Sequence, residues 1–314
     1  MSRRRLKGVP IHGWLCVDKP TGMTSTHVVN VIKRATNAQK VGHGGTLDPL
    51  ATGVLPIALG DATKTVMYVM DARKGYEFTV KFGEATDTDD SDGVVIAYSD
   101  IRPTAEQIEA ALPRFRGEIM QRPPIYAAVK IDGERAYDLA RRGEEVILEE
   151  RPIRVDTLDL VEMRDDGSAV LSMTCGKGAY VRSLARDLGE ALGTRAHVTQ
   201  LRRIMVGPFK IEDSVRLADL EAIIADESLP QVLVPVTTAL AGIPALAVTE
   251  PQAQRLSAGQ PIVALPHMIE GELGAEPMVR AMWGGRLVAL TRFEEGELLP
   301  VRVFLTTMPM EKRR

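Results

Sequence analysis

Cysteine is almost missing: Cys16 and Cys175 are the two thiols in 314 residues. One distant pair makes no disulfide framework, and no Cys-x-x-Cys spacing offers a zinc site, so a reducing cytoplasm is the expected compartment. Aromatic residues are scarce, 4% of the chain, so each tyrosine carries weight. No stretch is long and apolar enough to span a bilayer. Residues 1–7 are basic but no apolar segment follows them, which argues against a secretory signal. Positive charge is not in excess either. The net charge of -3 does not by itself announce a nucleic-acid binder.

What is present suffices for a large domain and a small one, with 45% hydrophobic and 26% charged residues. Charge is unevenly spread. Arg3, Arg4, Arg5, Lys7, Lys19, Lys33, Arg34 and Lys40 face only Asp18 among acids in the first forty residues. Arg182, Arg186, Arg195, Arg202 and Arg203 form a second basic group. Acid collects at residues 87–92, around 144–150 and in the last third. Such a distribution suits an RNA-binding face and equally an ordinary solvated surface.

Periodicity predicts a strand over 14–17, a helix over 25–35, a strand over 76–82 and a partner strand over 94–98. Thr104 with Gln107 marks a capping box and a helix through Ala111. A short helix is expected over 135–142, on an excursion bounded by Pro124 and Pro152. Residues 153–163 and 169–174 alternate like a hairpin, and 182–192 reads as an amphipathic helix stopped by Gly193. The pattern predicts an α+β domain with a mixed, largely antiparallel sheet. A boundary is expected near 240–244. Beyond it, a helix over 251–257, strands over 278–283 and 286–291 flanking Gly284-Gly285, and a strand over 301–305 predict a small β-rich module.

The most informative segment is Gly42-His43-Gly44-Gly45-Thr46-Leu47-Asp48-Pro49-Leu50-Ala51-Thr52-Gly53-Val54-Leu55-Pro56. Glycines at 42, 44 and 45 permit positive φ and close approach to a partner. Asp48 is held extended by Pro49 and followed by an apolar run. Asp-Pro is also a helix start, with Asp48 as N-cap; a cap, however, needs neither His43 nor three glycines. Two other motifs fail. Gly60-Asp61-Ala62-Thr63-Lys64-Thr65 lacks the glycine that a phosphate loop places before its lysine. Residues 87–93 lack the final glutamate of a calcium loop, leaving a solvated acidic turn as the expectation.

The string around Asp48 closely resembles the signature loop of the TruB family of tRNA pseudouridine synthases. Further segments resemble that family in order: Lys19-Pro20-Thr21-Gly22-Met23-Thr24-Ser25; residues 83–93 around Thr86-Asp87-Thr88-Asp89; Gln121-Arg122-Pro123-Pro124-Ile125-Tyr126-Ala127-Ala128-Val129-Lys130; Cys175-Gly176-Lys177-Gly178-Ala179-Tyr180-Val181-Arg182-Ser183-Leu184; and the stretch from Ala196-His197-Val198 to Leu201-Arg202-Arg203. The likeness is strong over about residues 10–210. Gly44 stands where the family commonly has Thr or Ala, Gly176 where Ser is usual, and Ala179 where Thr is usual; none of these removes a group that the chemistry needs.

The resemblance implies a catalytic domain over 1–240 with a thumb-like insertion at about 122–151, and a PUA-like RNA-binding domain over 245–314. It implies isomerisation of uridine 55 in the tRNA T-loop. Asp48 would be the nucleophile and Arg182 its bidentate cationic partner in a dry pocket. Tyr76 would stack on a flipped-out uracil and take the C5 proton, Tyr180 and Leu201 would wall the pocket, and His43 would contact the disrupted loop. Lys19 and Lys64 would touch phosphate or support the loop. Isomerisation moves no electrons and donates no group, so no cofactor and no metal is expected. The expected partner is the T-arm of tRNA, with no membrane, no guide RNA and no obligate protein partner, and the expected state is a monomer. Two rivals stand beside this: a guide-RNA-dependent enzyme like the dyskerin group, and a non-enzymatic module that folds tRNA.

Overall fold

The computed structural model describes residues 8–127, 130–131, 134–135, 142, 146, 148–274 and 277–304. In chain order, the first part contains β1 (Gly13–Lys19), α1 (Ser25–Thr36), β2 (Val41–His43), β3 (Thr52–Leu59), α2 (Val66–Asp71), β4 (Lys74–Phe82), β5 (Glu84–Thr86), β6 (Val95–Tyr98), α3 (Ala105–Ala111), β7 (Gly117–Gln121), β8 (Lys130–Ile131), β9 (Glu134–Arg135), β10 (Arg151–Met163), β11 (Ala169–Cys175), α4 (Val181–Ala191) and β12 (Ala196–Val206).

One large sheet organises these elements, in the order β1-β3-β12-β4-β11-β10-β7, with Val215–Arg216 outside β1. Neighbours run antiparallel except β12 beside β3 and Val215–Arg216 beside β1. β1 and β3 are almost continuously apolar because they lie inside the sheet and are covered on both faces. Val28 and Ile32 of α1, Leu184 and Leu188 of α4, and Phe78, Val80 and Leu171 of the sheet share one core cluster. α4 lies so close to β12 that a Cβ at Gly189 would sit 2.7 Å from the Ala196 Cβ.

Local chemistry sets the element ends. Thr104 accepts from the Gln107 amide while Gln107 reaches back, completing the capping box of α3. After α4, Gly193 adopts φ +72°, the left-handed geometry expected after a helix. β6 does not pair with β4, as expected from sequence; it pairs with β5. The acidic turn between β5 and β6 is anchored to β12 instead, through Val198 N–H to Asp89 O and Ser91 N–H to Val198 O. Most of the helix expected over 135–142 falls outside the described residues. The excursion containing it leaves the sheet at Gln121 and returns at Arg151, and these two residues are paired neighbours across β7 and β10.

A second, five-stranded sheet runs Ala245–Ala247, Met278–Trp283, Arg286–Glu294, Glu297–Val303 and Ile262–Val263, with helix Glu250–Ser257 packed beside it. Gly284 and Gly285 take φ of +54° and +76°, the double positive φ of a type I′ hairpin. This is the PUA-like β-rich module. Leu240, Leu287, Leu290 and Phe304 join Tyr68 and Val236 in an apolar contact between it and the larger unit.

Candidate active site

Asp48 lies in the segment between β2 and β3, and no helix follows it. Its carbonyl accepts from Ala51 N–H at 3.1 Å, forming a turn, so the helix-cap reading falls. Of the three leading glycines only Gly45 has left-handed φ, at +129°. Gly44 is needed for space: a Cβ there would meet Val69 Cγ1 at 2.7 Å. The segment is tied down from several sides. Gly44 N–H reaches Pro56 O at 2.7 Å, and Gly22 N–H reaches Pro49 O at 2.8 Å. The Ser25 hydroxyl donates to Leu47 O and accepts from Leu47 N–H.

Lys19 is fully buried beneath this loop, and its three donors go to the carbonyls of Pro20, Met23 and Pro49. The ammonium therefore supports the loop and has no donor left for phosphate. Burial pushes its pKa down to about 8, against the pull of nearby Asp48. Lys64 is engaged at the other unit: it pairs with Asp61 at 2.7 Å, donates to Val303 O at 2.7 Å and lies 5.2 Å from the Phe304 ring centre. It pins the two units together and is not free for phosphate.

Arg182, at the start of α4, is only 5% exposed, and its Nη2 stands 2.9 Å from Asp48 Oδ2. The pairing is not bidentate as expected. Its Nε faces Asp90 Oδ2 at 3.5 Å, and its Nη groups also donate to the carbonyls of Thr88 and Tyr126. The guanidinium is thus shared between two carboxylates of different exposure, Asp48 at 38% and Asp90 at 7%. Asp48 is open on one side in the protein alone, so protein walls do not close the dry pocket anticipated from sequence.

The acidic turn is likewise not a solvated one. Asp90 is buried, and accepts from the Thr88 hydroxyl at 2.6 Å and the Asp92 amide at 3.1 Å. Asp89 pairs with Arg186 Nη1 at 2.9 Å, yet burial outweighs that attraction and pushes its carboxyl up to about 6. The second basic group therefore consists largely of internal partners. Arg182 and Arg203 are buried, Arg186 meets Asp89 and Asp187, and Arg202 meets Asp18.

Tyr76 on β4 pairs in register with Arg203 on β12 and Met173 on β11. Burial pushes its phenol up, and Arg203 pulls it back. Sequence reasoning placed Arg203 in a surface patch and missed its place here. It is 2% exposed and donates to Val54 O, Thr46 O and Gly45 O at 2.8, 3.2 and 3.1 Å, clamping both arms of the Asp48 loop. The available signal was the strand period: Arg203 lies two residues after Leu201, on the same inward face. Gly53 belongs to this clamp. A Cβ at its φ of +99° would sit 2.2 Å from Arg203 O.

His43 ends β2, and its Nδ1 accepts from Gly45 N–H at 3.4 Å. Burial pushes its pKa down, with Arg203 acting in the same direction, so the ring is neutral at neutral pH. Tyr180 immediately precedes α4, and its backbone exchanges two hydrogen bonds with the Gln121 amide at the foot of the insertion. Its phenol is pushed up by burial and by the charge of Asp48. Leu201 is 8% exposed and packs in the main core with Leu47 and Phe78, against which Tyr76 also lies. Asp48, Arg182, Tyr76, Tyr180, Leu201, His43 and Lys19 are thus gathered around one loop, and Lys64 is not. Chemically, the arrangement offers one accessible carboxylate, a buried guanidinium paired with it and a half-buried aromatic ring.

The chain is similar to known proteins over most of its length. The profile of the TruB family pseudouridylate synthase N-terminal domain matches residues 33–181, and that of the tRNA pseudouridylate synthase B C-terminal domain matches residues 182–241. The chain is 53% identical over 306 residues to tRNA pseudouridine synthase B of Gluconacetobacter diazotrophicus, covering 96% of this chain and 99% of that one. It is 52% identical to the protein of the same name in Caulobacter vibrioides, with 97% and 99% covered. Among solved structures, a Cbf5-Nop10-Gar1 complex aligns with a TM-score of 0.71 at 27% identity, covering 93% of this chain and 84% of that one. With two profiles meeting at the helix that carries Arg182, and relatives matched nearly end to end, the chain belongs to the TruB family of pseudouridylate synthases.

Proposed function

We propose that this enzyme forms pseudouridine in tRNA by acting on uridine 55 of the T-loop as a stand-alone catalyst without guide RNA. The reaction breaks the N1–C1′ bond, turns the uracil and joins its C5 to the ribose, and the C5 proton leaves. Asp48 is the nucleophile that keeps the fragments on the enzyme, adding either to ribose C1′ or to uracil C6. The observation that carries this reading is the one-sided setting of Asp48. A buried guanidinium grips one oxygen at 2.9 Å, while the carboxylate remains 38% exposed toward an incoming nucleotide.

A flipped-out base costs a few kcal/mol in lost stacking, and an aromatic face returns roughly 1–3 kcal/mol. Tyr76 supplies that face. Its phenol is pushed up by burial, so it stays protonated at neutral pH; stacking suits it better than removal of the C5 proton. Tyr180 and Leu201 bound the same space, and His43 meets the RNA from the loop side. Because the protein leaves Asp48 open, the bound T-arm itself completes the exclusion of water, which would otherwise release free base. The excursion between Gln121 and Arg151, long enough to reach across bound RNA, supports the stand-alone form over a guide-dependent one.

The test is release of tritium from tRNA labelled at uridine C5, with no added component. The wild-type protein is expected to release label and Asp48→Asn to release none while still binding tRNA. Turnover by Asp48→Asn would remove the nucleophile assignment, and a folded but silent wild type would remove the function.

A further inference from the structure

α1 buries Ser25, Val28, Ile32 and Thr36, so its opposite face is solvent-exposed. That face carries His27, Asn30, Lys33 and Arg34 at helical spacing, and Asn37 follows as the left-handed C-cap. These residues, with Ala38 and Gln39, line a cleft of about 860 Å³. Lys40 follows, exposed, at the entry to β2. Between Lys19 and Gly60 the only carboxylate in the sequence is Asp48. Among the described residues, no ion pair involves Lys33, Arg34 or Lys40; the arginines of the second basic group, in contrast, are mostly consumed by acids. The cleft is therefore a concentrated, uncompensated positive surface on a chain of net charge -3.

Its position ties it to the catalytic loop at both ends. The N-terminal residue of α1, Ser25, is hydrogen-bonded to Leu47 next to Asp48. After α1, Lys40 leads through the three residues of β2 to His43. At 1.5 Å per residue, Arg34 lies roughly 14 Å along the helix from Ser25. Val9 lies against the same cleft: its N–H donates to Asn37 O and its carbonyl accepts from Gln39 N–H.

We infer that this cleft is a second RNA-contact surface, holding backbone phosphates of the substrate RNA away from the reacting nucleotide through Lys33, Arg34 and Lys40. Amide side chains at Asn30 and Asn37 suit phosphate and ribose oxygens, and a lining without Phe, Tyr or Trp suits backbone contact over base stacking. The inference builds on the RNA-modifying function proposed above.

The experiment measures equilibrium binding of full-length tRNA against salt for the wild type and for the triple variant Lys33→Gln, Arg34→Gln, Lys40→Gln. All three side chains are exposed, so an unchanged melting temperature is expected. Each lost phosphate contact flattens the slope of log K against log salt by about 0.7–0.9, so the triple variant should lose about two units of slope. It should also bind about ten-fold or more weakly at 150 mM salt. Arg34→Lys, which keeps the charge, should retain the wild-type slope. An unchanged slope and affinity in a folded triple variant overturns the inference. So does a loss reproduced equally by neutralising Lys81 and Arg116, which lie elsewhere on the surface. Binding is read independently of label release, so failure of the isomerase reading and failure of the cleft are told apart.

Discussion

Two residues beside Asp48 lend themselves to separate tests. Arg203 donates to three carbonyls on the two arms of the Asp48 loop, those of Val54, Thr46 and Gly45, and its removal takes that donor from all three. Arg203→Leu is expected to cost about 3–5 kcal/mol in urea unfolding, with Arg203→Lys recovering part of it. A loss below about 1 kcal/mol would show that the clamp contributes little. Tyr76→Leu keeps an apolar side chain but removes the stacking face. Label release should fall by at least a hundred-fold while tRNA affinity changes less than five-fold; equal turnover would return Tyr76 to a purely structural part in β4. The Asp48 loop stands out in the sequence because its glycine-flanked setting is local. Arg203 does not, because a strand arginine reads as solvent-facing until a neighbouring strand covers it.

Among the elements, the acidic turn between β5 and β6 departs most from expectation. It reads as polar and solvated, yet β12 and α4 cover it and Arg182 and Arg186 neutralise it. Asp89 has a carboxyl raised by burial to about 6. The folded protein therefore holds this proton more tightly than the unfolded chain does. Its contribution to stability is present below about pH 4 and lost as pH rises through about 6. Comparing wild type with Asp89→Asn removes the opposing effects of other carboxylates. The stability difference between the two should change by up to about 3 kcal/mol between pH 4 and pH 7 in chemical denaturation, and a flat difference would refute the assignment. Two helix ends and one hairpin, by contrast, follow from short-range signals: Thr104 with Gln107, Gly193, and Gly284-Gly285 each dictate a local backbone geometry that survives packing.

At the scale of the molecule, the two units are held by the apolar contact around Leu240 and Phe304 and by Lys64, which joins Asp61 to Val303 O. Lys64→Ala should therefore cost about 1 kcal/mol and speed amide exchange in Glu297–Val303, leaving α4 and β12 unaffected. Unchanged exchange in that strand would mean the apolar contact alone fixes the module. No helix among the described residues is long and apolar enough to cross a membrane. The α+β class and the positions of several strands could be read from the residues in line, since periodicity and turn chemistry act over a few neighbours. Which charges cancel could not. Arg182 sharing itself with Asp90, Arg186 meeting Asp89, Arg202 meeting Asp18 and Lys64 bridging to Val303 O join positions scores of residues apart, and a charge declares its partner only when the folded chain brings the two within a few ångströms.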